Sequence, residues 1–144
     1  MKNKKIFLYV GRLAKSKRIN LLIKSFNKVK TNCPNSKLII VGPPTFRGYF
    51  KRLLKLADED IIFTGFVPDK DLPAYYALCD SFVTASHYEG FNLPAVEAQA
   101  CGKPVVAFDI GSHSEVIDKK KRILVPEGDI NGFANAMLKY AGSA

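Results

Sequence analysis

Short apolar runs alternate with longer segments of helical spacing along the whole chain, and this alternation constrains the fold more than any other feature. The runs are rich in β-branched and aromatic residues without polar alternation, which is typical of strands buried in a parallel sheet. The predicted strands are Ile6 to Val10, Leu38 to Val41, Ile61 to Phe63, Ser81 to Ala85, Val105 to Phe108 and Ile123 to Val125. We therefore predict an α/β/α domain in three layers, with a parallel sheet of about six strands.

Between these runs, apolar residues recur at spacings of three and four, which places them on one side of a helix. The two clearest stripes are Leu22, Phe26 and Val29, and Phe133, Met137 and Tyr140. Further helices are predicted over Tyr49 to Ala57, Asp71 to Leu78 and Leu93 to Ala100, and Ser112 to Glu115 has the pattern of a capping box that opens a short helix.

Length and composition indicate one folded domain over residues 1–144. The chain is 47% hydrophobic and 24% charged, as in ordinary globular proteins. Cys33, Cys79 and Cys101 are too few and too scattered for a disulfide framework, which favours a reducing, cytoplasmic compartment. No charge-free apolar run approaches the roughly 18 residues of a membrane span, so any membrane contact is expected to be peripheral.

The formal charge of +9 indicates an acidic partner. Phosphates of a small ligand, anionic lipid head groups and nucleic acid are all compatible with such an excess, and charge alone does not choose among them. Nucleic acid is disfavoured, because the basic groups are not interleaved with aromatic residues and no recognition motif is present. Solvated lysines at helix ends and turns are the alternative interpretation for most of these groups.

The loop after the first predicted strand carries two candidate phosphate ligands. Gly11 follows the strand directly, and Arg12 and Lys17 lie five residues apart. In an open α/β sheet the loops that leave the carboxyl ends of strands form the ligand crevice. A guanidinium and an ammonium at this spacing could hold the two phosphates of a diphosphate from different sides, or they could form a solvated basic turn.

A second candidate loop runs from Glu89 to Glu97 and leads into a helix. Gly90, Asn92 and Pro94 mark a helix start, whose free N–H groups and positive dipole end attract phosphate. Two carboxylates flanking such a start could accept hydrogen bonds from hydroxyl groups. This combination suits a sugar nucleotide, although an exposed helix glutamate is a common alternative for Glu97 and a solvated loop acid for Glu89.

Other chemistries are less well supported. Asp58 to Asp60 has the Asp-x-Asp spelling of a metal site, but it lies at the sheet edge opposite the predicted crevice. His87 and His113 share no spacing that suits a metal pair, although His87 could line the site. Ser86, His87 and Glu89 do not form a nucleophilic triad, because neighbouring loop residues lack the required geometry. We expect no metal and no cofactor.

The segment from Ser86 to Val106 resembles the Glu-x7-Glu signature, with its flanks, of the retaining GT-B glycosyltransferases called family 4 or group 1. Shorter matches at Val10 to Leu13 with Lys17, at Ile40 to Gly42 and at Phe63 to Val67 support the resemblance, which covers roughly Ile6 to Tyr140. It implies a Rossmann-like C-terminal, donor-binding domain, which is one half of a GT-B fold.

The resemblance also implies roles for individual residues. Arg12 and Lys17, after Gly11, would neutralise the donor diphosphate, and Glu97 would accept hydrogen bonds from the ribose. Glu89, as the catalytic residue, would contact the transferred sugar and stabilise charge near its anomeric carbon. The remaining contacts would come from the Gly65, Phe66 and Val67 loop near the base and from the segment of Gly90, Phe91, Asn92 and Leu93 at the helix start.

The sequence departs from the family pattern at three places in the chain and in its length. Arg18 stands where the family usually has glycine, and Asn92 replaces another common glycine. The stretch from Lys119 to Arg122 lacks the usual glycine before the sixth strand. The N-terminal domain that binds the acceptor is also expected to be absent, so a separate domain or subunit would have to supply it and the chain alone would transfer little.

Two hypotheses therefore remain. The leading one is the donor-binding domain of a retaining hexosyltransferase that uses a nucleotide sugar, such as GDP-mannose or a UDP-hexose, to extend a glycan or a lipid-linked acceptor. Mannosyl transfer is mildly preferred from family frequency. The alternative is a non-catalytic nucleotide-binding or interaction module that acts with a partner chain.

Overall fold

Six parallel strands form the central sheet in the order β3-β2-β1-β4-β5-β6. The computed structural model describes residues 4–87 and 91–142. The strands are β1 Lys5–Val10, β2 Ser36–Val41, β3 Ile61–Gly65, β4 Ser81–Thr84, β5 Val105–Phe108 and β6 Arg122–Val125. Every neighbouring pair is parallel, and β1 and β2 align residue for residue from Lys5 opposite Ser36 to Val10 opposite Val41.

Helices cover both faces of this sheet. They are α1 Ile19–Asn32, α2 Arg47–Leu56, α3 Leu72–Leu78, α4 Leu93–Ala100, α5 His113–Val116 and α6 Ile130–Tyr140. Single turns of 3-10 helix occur at Lys15–Lys17, Asp69–Asp71 and Lys119–Lys121. Within the described ranges, no helix has both the length and the apolar character that crossing a membrane requires.

The alternation of side chains along the strands divides the core into two layers. Phe7 and Tyr9 of β1 face α1, α2 and α6, whereas Ile6 and Leu8 face α3, α4 and α5. Because both faces are covered, the strands need apolar residues at nearly every position, and this explains their lack of polar alternation. The three-layer domain predicted from the sequence is confirmed.

The strand predictions hold with shifts of one or two residues at several ends. β3 extends to Gly65 and β4 ends at Thr84, because hydrogen bonding to neighbouring strands rather than apolar content sets these limits. The short helix after Ser112 is present, but the predicted capping box is wrong. Ser112 has a φ of −91° and a ψ of 6°, and its side chain makes no capping hydrogen bond.

The Asp-x-Asp segment is held by lysines at the amino-terminal edge of the sheet, near the start of β3. Lys30 pairs with Asp58 at 3.0 Å and also with Asp60, and Lys37 pairs with Asp60 at 2.6 Å. The hydrogen bonds from Lys30 and Lys37 lower the pKa of Asp60 to about 2. This arrangement closes the sheet edge between α1, β2 and β3 and accounts for both aspartates without a metal.

The carboxyl ends of β1, β2 and β3 approach one another through glycine backbones. The N–H of Gly11 donates to the carbonyl oxygen of Val41, and the N–H of Gly42 donates to that of Gly65, both at 2.9 Å. A Cβ atom at Gly42 would lie 1.8 Å from the carbonyl oxygen of Gly11, and Gly42 has a φ of +143°. The first crevice loop is therefore packed directly on the end of β2.

We predict that Gly42→Ala lowers the free energy of unfolding by more than about 3 kcal/mol, because its methyl group would collide with backbone that is fixed in the sheet. Gly48→Ala is the matched control: it lies in α2 with open space around the added Cβ, and alanine should stabilise that helix by about 0.5–1 kcal/mol. Urea unfolding of both variants measures the difference. A cost below about 1 kcal/mol for Gly42→Ala would contradict the close approach.

Candidate functional site

The strand order reverses between β1 and β4, and this reversal opens a crevice at the carboxyl edge of the sheet. The helix that follows β1 packs on one face and the helix that follows β4 packs on the other. The two loops therefore diverge above the sheet. They are the loops predicted to carry the phosphate ligands and the helix start.

The loop after β1 is fixed by a buried tyrosine. The hydroxyl of Tyr9 donates to the carbonyl oxygen of Arg12 at 2.9 Å, and this contact holds the backbone turn after Gly11. The N–H of Leu13 donates to the carbonyl oxygen of Pro43, so the loop also pairs with the segment after β2. The following 3-10 turn presents Lys17.

A small cavity of about 210 Å³ lies between this loop and the start of α4. It is lined by Tyr9, Val10, Gly11, Arg12, Lys17, Thr84, Asn92, Leu93 and Pro94. The structure therefore brings together five of the residues named from the sequence, which come from loops about 80 residues apart in the chain. Two cations and a helix start around one cavity form an electropositive site suited to phosphate.

Asn92 begins α4 in a left-handed conformation, with a φ of 56° and a ψ of 63°. Its side-chain oxygen accepts a hydrogen bond from the N–H of Ala95 at 3.4 Å, as predicted for an N-cap. Its amide nitrogen lies 3.0 Å from Nε2 of His113, and Nδ1 of His113 lies 2.7 Å from the carbonyl oxygen of Phe108. A carbonyl only accepts, so Nδ1 carries the proton and the neutral ring accepts from Asn92 through Nε2.

His113 is thus a structural residue that the sequence analysis did not identify. It is fully buried, and it joins the end of β5 to the start of α4. In the sequence it was considered as a metal ligand with His87 and as part of the capping box after Ser112, and neither pattern predicted these contacts.

A second cavity, of about 520 Å³, continues from the first along α4. Val10, Leu93 and Pro94 line both cavities. The second one is further lined by Asp69, Leu72, Pro73, Tyr76, Glu97, Ala100 and Cys101. Its wall is mainly apolar and includes one carboxylate on α4, which is the arrangement of a small-molecule pocket with a few fixed polar groups.

Glu97 is oriented by a partner that the sequence did not reveal. The hydroxyl of Tyr76 on α3 donates to Oε1 of Glu97 at 3.0 Å. Burial raises the pKa of Tyr76, and the hydrogen bond to Glu97 raises it further, so the phenol remains protonated and keeps donating. The second carboxylate oxygen of Glu97 makes no hydrogen bond to a described residue.

The remaining predicted site residues do not line either cavity. Gly65 ends β3 beside Gly42, Phe66 is 72% exposed, and Val67 packs against the layer that contains Tyr76. Their predicted contact with a base stays a prediction. The nearby 3-10 turn instead contributes Asp69.

The segment before Asn92 is described only in part. Phe91 is exposed beside the start of α4. Glu89 and Gly90 lie outside the described residues, so the roles predicted for them stay predictions.

Arg18 links the first loop to the end of β4. Its φ of 47° and ψ of 50° are left-handed, although it is not a glycine. Its Nε donates to the carbonyl oxygen of Ala85 at 3.2 Å, and its guanidinium lies 5.3 Å from the centre of the Phe108 ring. These contacts explain how a residue with a Cβ is held in this conformation.

Glu127, in the loop after β6, joins two of the crevice loops. Its Oε2 lies 3.2 Å from Nη2 of Arg18 and 2.7 Å from Nδ1 of His87. The N–H of His87 also donates to the carbonyl oxygen of Ser16 at 2.8 Å. His87 therefore connects the loops after β1 and β4, beside the site rather than in either cavity.

Within residues 4–87 and 91–142, no three His, Cys, Asp or Glu side chains are grouped so that they could hold a metal ion. The charge of an anionic ligand in the crevice would be met by Arg12, Lys17 and the start of α4.

Comparison with known proteins decides the family. Residues 1–141 match the family described as "Glycosyl transferases group 1". The chain belongs to this family. Among its relatives, O-antigen chain mannosyltransferase B of Escherichia coli is 36% identical over 139 residues, which cover 92% of this chain and 35% of that protein. Mannosylfructose-phosphate synthase of Agrobacterium fabrum is 38% identical over 112 residues, which cover 71% of this chain and 25% of that protein.

Solved structures support the same assignment for this group 1 chain. The Anabaena protein HepE, solved in complex with UDP, superposes with a TM-score of 0.86 at 26% identity. The match covers 98% of this chain and 43% of HepE. The structural neighbours are GT-B glycosyltransferases, which confirms the resemblance. The chain spans about a quarter to a third of the length of the curated relatives named above.

We predict that Asn92→Ala lowers the free energy of unfolding by about 3 kcal/mol, because it removes the helix cap, leaves Nε2 of His113 without its donor and places a Cβ in a left-handed conformation without the local hydrogen bonds of asparagine. Asn92→Gly should cost about 1 kcal/mol less, since glycine keeps the left-handed backbone. Urea unfolding compares the two. Equal costs would show that the left-handed start of α4 does not matter for stability.

Proposed function

We propose that this domain binds the nucleotide-sugar donor of a retaining group 1 glycosyltransferase and moves a hexose to a glycan or lipid-linked acceptor. The observation that carries the proposal is the continuity of the two cavities at the reversal of strand order. One cavity has cations and a helix start, and the other has apolar walls and an oriented carboxylate. A nucleoside diphosphate matches this arrangement, because its diphosphate would suit the cationic cavity and its nucleoside would suit the apolar cavity with the carboxylate.

The diphosphate would lie in the smaller cavity. Arg12 and Lys17 approach from the loop after β1, and the N–H of Leu93 belongs to the first turn of α4. These groups would neutralise the charge that develops on the leaving diphosphate as the bond to the sugar breaks. The protein's own cations would then do this work, which fits the expectation that no metal is needed.

The nucleoside would occupy the larger cavity. Glu97 would accept hydrogen bonds from the ribose hydroxyls through the oxygen that Tyr76 leaves free. Because Tyr76 fixes the other oxygen, the carboxylate would be oriented before the ligand arrives, and less side-chain freedom would be lost on binding. Leu72, Pro73 and Pro94 would give the base an apolar wall.

The catalytic role proposed for Glu89 follows from the family resemblance. Placed at the sugar end of the diphosphate, its carboxylate would contact sugar hydroxyls and stabilise positive charge near the anomeric carbon. Retention of configuration belongs to the same proposal. The Gly90 and Phe91 backbone would complete the sugar side of the site.

The acceptor would bind to a separate N-terminal domain or subunit, as in a complete GT-B enzyme. Two relatives are named for mannosyl chemistry, which favours GDP-mannose as donor, whereas HepE was solved with UDP. We therefore propose either a GDP-sugar or a UDP-sugar as the donor. We also propose that the transfer serves polysaccharide biosynthesis in the cytoplasm. Peripheral contact with an anionic membrane would place the domain near lipid-linked acceptors.

The test is calorimetric titration of the chain with UDP, GDP, UDP-glucose and GDP-mannose in the presence of EDTA. We expect one base to be preferred, with affinity reduced more than about tenfold by Arg12→Ala and by Glu97→Gln, since each removes a charged contact to the ligand. Glu115→Gln is the matched control, because Glu115 is an exposed helix glutamate outside both cavities. Its affinity should equal that of the unmodified chain.

Absence of nucleotide binding at millimolar concentration by the folded chain would contradict the proposal. Binding that is equally weakened by the control variant would show that the titration reports charge and not the site. Specific binding that never supports transfer with any acceptor domain would favour the alternative of a non-catalytic nucleotide-binding module.

A further inference from the structure

Helix α2 has an exposed basic face whose charges lack acidic partners in the described part of the chain. Arg47, Lys51 and Lys55 recur at spacings of four, which places them in one row along the helix. Arg52 lies beside this row, with its guanidinium 5.8 Å from the centre of the Tyr49 ring. The helix contains no Asp or Glu, and no described ion pair involves any of its cations.

None of the three acidic residues at positions 58–60, which follow α2, forms a described ion pair with a cation of the helix. Asp58 and Asp60 are already paired with Lys30 and Lys37 on the neighbouring elements. The positive charge of α2 is therefore directed at solvent. Long cationic side chains that are gathered on one face without partners are suited to an external anion.

Apolar side chains are exposed on the same element. Phe46 at the N-cap is 66% exposed, Leu54 is 47% exposed and Leu56 is 41% exposed. They account for three of the seven large apolar side chains that are exposed within the described residues. A basic helix face with exposed apolar residues beside it is typical of segments that lie on anionic membranes.

A cavity of about 440 Å³ lies between α2 and the 3-10 turn before α1. A second cavity, of about 520 Å³, adjoins it, and Lys15, Tyr49 and Arg52 line both. The other lining residues are Arg18, Asn20, Leu53 and Leu56 in the first and Phe46 and Gly48 in the second. No carboxylate lines either space, so an ammonium and a guanidinium are available to one phosphate group.

We propose that α2, together with Phe46 and these two cavities, is a docking surface for the phosphate head groups of an anionic lipid bilayer. Lys15 and Arg52 hold a head-group phosphate, the row on α2 lies along the charged surface, and Phe46 enters the interface. This docking surface rests on the proposed function in one respect only, which is the biological purpose of binding to a membrane. Because Lys15 and Lys17 share one turn, docking here brings the donor crevice close to a membrane-borne acceptor.

The test is co-sedimentation with sucrose-loaded vesicles of phosphatidylcholine, with and without one part in three of phosphatidylglycerol. We expect binding only to the anionic vesicles, weakening steeply with salt. Combined Arg47→Gln, Lys51→Gln and Lys55→Gln should reduce the partition coefficient more than about tenfold, since each cation near such a surface contributes roughly fivefold. Phe46→Ser should reduce it by a smaller factor at every salt concentration.

The matched control is Lys119→Gln, Lys120→Gln and Lys121→Gln, which removes the same charge from the 3-10 turn before β6. Its partition coefficient should fall less than about threefold, as long-range attraction alone requires. Equal losses in the two triple variants would overturn the proposal, and so would absence of binding to anionic vesicles at low salt. Binding to a DNA duplex but not to vesicles, lost in the α2 variant, would assign the surface to nucleic acid instead.

Nucleotide titration of the same samples separates the two proposals. The α2 variant should bind nucleotide as the unmodified chain does, and its circular dichroism should be unchanged, because all three substitutions are at exposed positions. Vesicle binding without nucleotide binding would contradict the donor proposal alone. Nucleotide binding without vesicle binding would contradict the docking surface alone.

Discussion

The reversal of strand order between β1 and β4 is the constraint on which the site depends. Right-handed crossovers send the helix after β1 to one face of the sheet and the helix after β4 to the other. The loops at this point must separate, and the space between them cannot be filled by a neighbouring strand connection. The crevice is thus a consequence of topology, and the side chains on its two loops give it its chemistry.

The backbone at the crevice is held in conformations that need support. Arg18 and Asn92 are the non-glycine residues with left-handed backbone among those described, and each stands where the resembled family commonly has glycine. Arg18 is held by Ala85 and Glu127, and Asn92 by Ala95 and His113. The cost of placing a Cβ in this region is thereby offset by hydrogen bonds. Both residues keep the backbone conformation that glycine would allow, and their side chains add hydrogen bonds between separate segments of the site.

The sequence predicted the sheet well because burial on both faces leaves a local signature. Each strand is an apolar run in the sequence, and the ends of that run predict the ends of the strand to within one or two residues. The two crevice loops were also predictable, since glycine, proline and asparagine signal turns and helix starts through their own backbone preferences. The roles proposed for individual residues come from the family resemblance where spacing alone left them undecided, and the role of Glu89 stays a prediction.

Contacts between distant segments were not predictable in this way. Tyr76 orients Glu97 across 21 residues, and Glu127 meets Arg18 across 109. No local sequence pattern around Tyr76 or Glu127 indicates these contacts, because the order of strands in the sheet brings the two segments of each pair together. The capping box predicted at Ser112 was wrong for the same reason. The ring of His113 contacts the carbonyl oxygen of Phe108 and the side chain of Asn92, and these two buried contacts set the conformation of the turn.

We propose that one crevice, between the loops after β1 and β4, holds the diphosphate and the nucleoside together. Amide chemical shifts, followed by NMR during titration with the preferred nucleoside diphosphate, would locate the bound ligand. We expect the largest shifts on residues 11–17 and 93–101 and on Tyr76, and we expect Glu97→Gln to weaken the shifts near Tyr76 first. Shifts centred on α1 and α6, with residues 11–17 and 93–101 unchanged, would contradict it.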